Sequence, residues 1–553
     1  MTDSTGAAPP LRVVLLKPSK YAVDGYVERF HRGFMPNSTL PYLASLTPRR
    51  LGDRRVEVHA VDEYVETDLD YLRLLQAEPG CVTVLALVGV QSHQFHRALD
   101  LAAYARSHGV GHAVIGGPHP MTCETTRLQG RGVSFALAEA EGIWPRILAD
   151  ACAGELQPTY GADRRWEPQL DPPALVPPPE HALRRYAVQM LGVYPARGCP
   201  YRCSFCSVIK IAGRRMRSQP VETTLATLRA AKAGGVLLVM FTTDNFNKYP
   251  EAATLLQAMI DERLDLPFFV QCDAQVVHQP EFVELLGRAG CYQMFVGVES
   301  LNRETLRGAK KTQNHPERYG ELVRLCREHG IGSHFSNIIG FPADTEAEIL
   351  AQLRAVRVLR PDVASFYILT PIPGTEQYDD FLARGVITEP NLDRFDATYP
   401  TWEHPHLDHA RLAALLARCY REFYSLPDAA LKSVQWFWRK LTSDNILLKI
   451  AVAAYSYLSR LAVAHGMHPM AGGMHRVRID TAADYRALRR ARFGCDLVPL
   501  PQSLRPTDER SRQAESRYGT ALPPQGWIGP HGPVGRSAET NAGTGHLSKI
   551  SIR

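Results

Sequence analysis

From Leu11 to Thr370 the chain repeats one pattern: a short apolar run, a polar or glycine-bearing turn, then a helical stretch. Few folds accept such a chain. Strands joined by helical crossovers must lie parallel, and parallel sheets bind their ligands beyond the carboxyl ends of the strands. The runs fall into two groups. Leu11–Leu16, Val56–Val61, Val82–Val88, His112–Gly117 and Val133–Leu137 predict a doubly wound sheet closed by the last run, with helices at Leu40–Leu46 and Gln94–Ser107. Val236–Phe241, Pro267–Gln271, Gln293–Val298, Ser333–Phe341 and Ser365–Thr375 follow a first loop after Tyr194. Six such units predict an incomplete barrel, open on one side.

The first loop of the second group carries Cys199, Cys203 and Cys206. A C-x3-C-x2-C spacing brings three thiolates onto one short loop, enough to bind one iron–sulfur cluster. Three ligands leave one iron of a [4Fe–4S] cube open to a substrate or cosubstrate. A structural zinc site takes four ligands, often as two C-x2-C pairs, and there is no second pair. Three structural cysteines are the alternative.

The rest of the composition agrees with an intracellular redox enzyme. Hydrophobic residues make up 45% and charged residues 22%, ordinary for a globular chain. A net charge of +6 over 553 residues, without a dense Lys/Arg tract, argues against a nucleic-acid partner. Gly213–Arg217 reads as a solvated or cofactor-facing turn. Eleven scattered cysteines do not form a disulfide framework. An oxygen-sensitive cluster needs a reducing compartment, and Met1–Pro10 lacks the basic and apolar regions of a signal peptide, so the expected location is the cytoplasm. Lys449 and Arg460 interrupt the most apolar stretch, Ile446–His465, so no stable membrane insertion is expected.

The cysteine run, with Phe205 before its third cysteine, resembles the radical S-adenosylmethionine (radical SAM) superfamily. That resemblance implies SAM chelated at the open iron and cleaved by one electron to a 5′-deoxyadenosyl radical. It implies SAM contacts at Phe205, at Thr243 and Asp244 after the second barrel strand, at Glu299 and Ser300 after the fourth, and at Asn337 and Ile339 on the fifth. Glu299 would take the ribose diol.

Ahead of it, Asp62-Glu63, Gln91-Ser92, Gly116-Gly117-Pro118-His119-Pro120 and Glu139-Ala140-Glu141 fall in order at strand ends. In that order the set resembles the cobalamin-binding, Rossmann-like domain found before many radical SAM domains. The resemblance implies cobalamin contacts at Asp62, Glu63, Gln91, Ser92, Gly116, Gly117, Pro118, His119 and Glu139. Two departures are visible: Ala138 stands where a glycine is usual, and there is no D-x-H-x-x-G sequence. No histidine is therefore marked as a lower cobalt ligand. A generic flavodoxin-like domain without a corrin is the alternative.

The expected layout is a cobalamin domain over residues 11–155, a proline-rich linker over 156–190 and a radical SAM barrel over 191–390. A mainly helical region over 391–500 and a disordered tail over 501–553 follow. The family this layout resembles, the class B radical SAM methyltransferases, implies methylation of an unactivated centre by way of the deoxyadenosyl radical and methylcobalamin. The expected acceptor is an sp3 carbon of a small molecule or specialised metabolite, with a phosphinate phosphorus also compatible. An external one-electron reductant of flavodoxin or ferredoxin type is implied. A non-methylating cobalamin radical enzyme and a non-catalytic corrinoid or iron–sulfur binding protein are the other readings. Lys310, Lys311 and His334 are candidate substrate contacts.

Overall fold

The computed structural model describes residues 8–503, apart from 164–165, 168, 429, 432–433, 435–472 and 482. The apolar stretch at 446–465, part of the helical region expected over 391–500 and the tail beyond 503 lie outside the described residues.

Two parallel sheets organise the chain. The first contains β1 (Leu11–Lys17), β2 (Arg54–Asp62), β3 (Val82–Leu87), β4 (His112–Gly116), β5 (Ser134–Ala136) and β6 (Thr159–Tyr160). Their order is β2-β1-β3-β4-β5-β6, and Arg50–Leu51 adds a short antiparallel strand beyond β2. Val13 to Leu16 are fully buried, as a strand covered by helices on both faces requires. Val133–Leu137 does not close this sheet: β6 pairs beyond it. Two residues beside a proline-rich stretch are too few for an apolar period to reveal.

The second sheet is β7 (Met190–Val193), β8 (Leu238–Phe241), β9 (Phe268–Cys272), β10 (Cys291–Glu299), β11 (Gly332–Ile339) and β12 (Val363–Ile368). All six run parallel in sequential order, the geometry of a partial (β/α)6 barrel. Helices return the chain between strands. Glu346–Leu359, for example, starts at a reciprocal cap in which Thr345 and Glu348 satisfy each other's backbone amides. The proline-rich segment before β7 is packed against the barrel: Leu175 and Leu183 are buried among its core residues.

The C-terminal region, expected to be mainly helical, contains helices and one strand among its described residues. His409–Phe423 is a helix, as expected of that region. Gly473–Val477, however, is a strand paired antiparallel with Arg29–Gly33, and helix Tyr485–Phe493 lies on helix Phe95–Ser107. Arg489 binds Asp100 through both carboxylate oxygens, Nε at 2.6 Å and Nη2 at 2.7 Å. The end of the described chain thus returns to the first sheet.

Candidate active site

The carboxyl ends of the two sheets face one cavity of about 780 Å³. From the first sheet it is lined by Lys17, Asp62, Gly89, Gln91, Gly116, Gly117, Pro118 and Glu139. The barrel contributes Tyr194, Arg197, Met240, Thr242, Asp244 and Gln271.

Arg197, at the base of the cysteine loop, forms part of the cavity lining. Ala196 pairs with Ser218 and Arg197 with Arg217, so a two-residue ribbon pinches the loop at its base. Gly198 has φ +108°, and a Cβ there would lie 2.2 Å from the Arg215 carbonyl oxygen, so only glycine fits the pinch. Ser204 docks the loop on the barrel, donating its amide to Ala309 O at 3.0 Å and accepting from Gln377 N at 2.9 Å. Burial pushes the Cys199 thiol up to about 11 and the Cys206 thiol up to about 12, with the neighbouring cysteines adding to both. Asn245 Nδ2 points at Cys199 Sγ from 3.9 Å and Gln313 Nε2 at Cys203 Sγ from 3.6 Å.

Among the described residues no group of side chains closes on a single metal ion. A cube takes one thiolate at each of three corner irons, a wider spread than one ion allows. Three adjacent thiols, with Cys203 acting electrostatically on both of the others and side-chain N–H donors approaching Cys199 and Cys203, fit such a cluster.

The residues expected at SAM separate into two sets. Thr243 and Asn337 are fully buried and do not line the cavity, and the Thr243 hydroxyl and Asn337 Oδ1 have no hydrogen-bond partner among the described residues. Glu299 sits at φ +59°, a strained backbone for a non-glycine residue. Its Oε1 accepts from Lys311 Nζ at 2.8 Å and its Oε2 from Ser336 Oγ at 3.4 Å. Gly297 makes room: a Cβ there would lie 2.4 Å from Glu299 Oε1. Phe205 lies edge-on to Phe341, their centroids 6.2 Å apart. Asp244 accepts from the Gly198 amide at 2.7 Å and so anchors the cysteine loop; burial pushes its carboxyl up to about 6. Ser300 is spent locally, accepting from Asn302 N and donating to Gln352 Oε1, and Ile339 is 1% exposed in the core. Lys310 is exposed and pairs with Glu376, while His334 is buried between Gln293 and Ser365.

The residues expected at cobalamin divide likewise. Asp62, Gln91, Gly116, Gly117, Pro118 and Glu139 line the cavity; Glu63, Ser92 and His119 do not. Glu63 is wholly buried, its carboxylate gripped by Arg97 and Arg29. His119 Nδ1 lies 3.0 Å from Ser92 Oγ, and its ring stacks on Phe95. Gly117, at φ +130°, is needed by the chain itself, since a Cβ there would lie 2.2 Å from Val90 N. Glu141, His93 and Lys17 line the cavity without having been singled out as contacts. Lys17 was legible as the polar end of the first strand. Glu141 Oε2 is buried without a hydrogen-bond partner among the described residues, so the cavity wall offers a free acceptor to a ligand amide. The donor set therefore fits a large amide-rich ring. Arg217 is not solvated: it is buried against Glu139.

A parallel partial barrel with a three-cysteine loop beyond its first strand defines a radical SAM domain, and residues 193–356 match the family described as the Radical SAM superfamily. The chain therefore carries a radical SAM domain over that stretch. It is 27% identical over 360 residues to bacteriochlorophyllide d C-12(1)-methyltransferase of Chlorobaculum tepidum, covering 60% of this chain and 76% of that one. It is 24% identical over 455 residues to the C-8(2)-methyltransferase of the same organism, covering 78% and 94%. Among solved structures, the fold resembles the radical SAM methyltransferase TsrM from Kitasatospora setae, determined with tryptophan and a SAM analogue. The TM-score is 0.54 at 20% identity, covering 69% of this chain and 78% of that one. It also resembles the cobalamin-dependent SAM radical enzyme OxsB, with TM-score 0.56 at 15% identity, covering 82% and 72%.

Proposed function

We propose that this enzyme is a cobalamin-dependent radical SAM methyltransferase acting on an sp3 carbon of a small-molecule metabolite. The observation that carries the reading is the cavity between the carboxyl ends of both sheets, with Arg197 at the base of the cysteine loop in its lining. When bound, the cluster, SAM and the corrin supply the radical and methyl chemistry that amino-acid side chains lack.

The chain's own part is placement. Cys199, Cys203 and Cys206 hold the cluster, with Asn245 and Gln313 donating toward two of the sulfurs. Glu299, held by Lys311, orients the SAM ribose. Asp62, Gln91 and the Gly116-Gly117-Pro118 turn border the corrin, and the facing sheets keep water from the reacting atoms. Methylating relatives and a fold shared with two SAM radical enzymes support this reading. An external one-electron reductant of flavodoxin or ferredoxin type and a cytoplasmic setting belong to it.

The test is anaerobic turnover of reconstituted enzyme with CD3-labelled SAM and candidate acceptors, followed by mass spectrometry. A product heavier by one CD3, with both 5′-deoxyadenosine and S-adenosylhomocysteine released, is expected. Deoxyadenosine without S-adenosylhomocysteine would overturn methyl transfer, and label found on phosphorus would overturn the carbon assignment.

A further inference from the structure

The wall between the cavity and the cysteine loop is built from charge. Glu139 and Glu141 follow β5 in the first sheet, whereas Arg197 and Arg217 form the ribbon at the base of the loop. Arg217 grips both oxygens of Glu139, Nη1 at 2.5 Å from Oε2 and Nη2 at 2.7 Å from Oε1. Arg197 reaches Glu139 at 3.2 Å with Nη1 and Glu141 at 2.7 Å with Nη2, and it lies under the Tyr42 and Tyr194 rings. The Glu167 amide donates to Glu139 Oε2 at 2.7 Å.

The Glu139 carboxylate is therefore spent on the loop, although it lines the cavity. Glu141 is different. Its Oε1 takes Arg197 and Tyr42, and its buried Oε2 takes nothing among the described residues. A ligand amide reaching Oε2 would act on a carboxylate whose other oxygen holds Arg197, two residues before Cys199.

We propose that Glu139, Glu141, Arg197 and Arg217 are positioning residues that couple the cavity to the cysteine loop, so that an amide-bearing occupant tightens SAM binding at the cluster. Linkage is reciprocal: SAM must then tighten the occupant by the same factor. The proposal rests on the cobalamin reading above.

The experiment uses the full chain with its cluster reconstituted. SAM affinity is titrated from the change in the electron paramagnetic resonance spectrum of the reduced cluster, with and without saturating hydroxocobalamin. The wild type should bind SAM about tenfold tighter with cobalamin, within the usual range for coupled sites, and cobalamin about tenfold tighter with SAM. Arg197→Lys and Glu141→Gln should bring both ratios to about one while each ligand still binds alone. If these variants do not hold a cluster, Tyr42→Phe serves instead, because it frees Glu141 Oε1 of one partner without removing a charge; its ratio should fall below the wild-type value. Equal SAM affinity with and without bound cobalamin in the wild type would overturn the coupling alone. An undiminished ratio in the variants would do the same. Failure of the wild type to bind cobalamin would overturn the cobalamin reading and the coupling together.

Discussion

Lys311 Nζ lies 2.8 Å from Glu299 Oε1, and both side chains are about nine-tenths buried beside the cysteine loop. Burial pulls the ammonium down, but the Glu299 carboxylate outweighs that and holds it above its ordinary range, with Cys203 and Cys206 adding to the effect. The pair fixes a carboxylate at the tip of β10, on a backbone turn that a non-glycine residue adopts only under strain.

Glu299→Gln should weaken SAM binding by roughly ten- to a hundredfold, the value of about 1.5–3 kcal/mol for a charge-assisted hydrogen bond. Iron content and cobalamin binding should not change. Glu304, exposed on the following helix, is the control, and Glu304→Gln should be near neutral. Equal effects from both would remove Glu299 from the ribose.

Lys311→Met should cost more stability than Glu304→Gln. It leaves the Glu299 carboxylate buried without its cation, a change worth about 3–5 kcal/mol. Thermal unfolding of the anaerobic protein measures it.

Cys199→Ala, Cys203→Ala and Cys206→Ala should each abolish SAM cleavage and reduce the iron from about four per chain, the content of one cube. The other eight cysteines should keep the cluster when replaced singly. Cys272, Cys291, Cys326 and Cys419 are buried, so their alanine variants should lose stability while retaining iron. Iron assay and the visible absorption spectrum separate the two outcomes.

Glu63 belongs to the scaffold, and its pH signature follows. Burial raises its carboxyl, but Arg97 and Arg29 outweigh that and bring it down to about 2. A carboxyl lower in the folded than in the unfolded chain stabilises above its ordinary value of 4.5. That contribution should be lost as pH falls from about 4.5 to about 2. Glu63→Gln should remove this acid-dependent part and lower the melting temperature at neutral pH, as followed by circular dichroism.

Bound cobalamin should show a base-off spectrum without a histidine nitrogen. Burial, with a smaller effect from His96, lowers the His119 ring to about 3, and it is tied to Ser92 away from the cavity. His93 does line the cavity. The cob(II)alamin resonance spectrum should be the same in the wild type, His119→Ala and His93→Ala. A nitrogen splitting lost only in His93→Ala would make that residue an axial ligand.

Both sheets were legible because their strands are long, apolar and separated by helices: β1, β3, β10 and β11 each fall within two residues of their expected ends. What escaped were two-residue strands such as Thr159–Tyr160 and the pairing of Gly473–Val477 with Arg29–Gly33, which joins segments more than 400 residues apart. No local period encodes such a partner. In the site, residue type and strand-end position marked Glu299, Asp244 and Glu139, but could not say how each carboxylate would be spent. Asp244 faces the Gly198 amide, Glu139 two arginines and Glu63 a buried cation pair. Those partners come from distant segments, so only the folded chain reveals them.

The pairing of Gly473–Val477 with Arg29–Gly33 also sets a timetable. The ribosome delivers the first sheet early, yet one of its flanking ribbons waits for a strand made hundreds of residues later. Asp100 likewise waits for Arg489, holding a buried carboxylate without its guanidinium until a residue 389 positions later has been made. A nascent chain stalled before residue 473 would carry the whole barrel and an unfinished neighbour. The cysteine loop is thus complete in sequence well before the first sheet has these last supports.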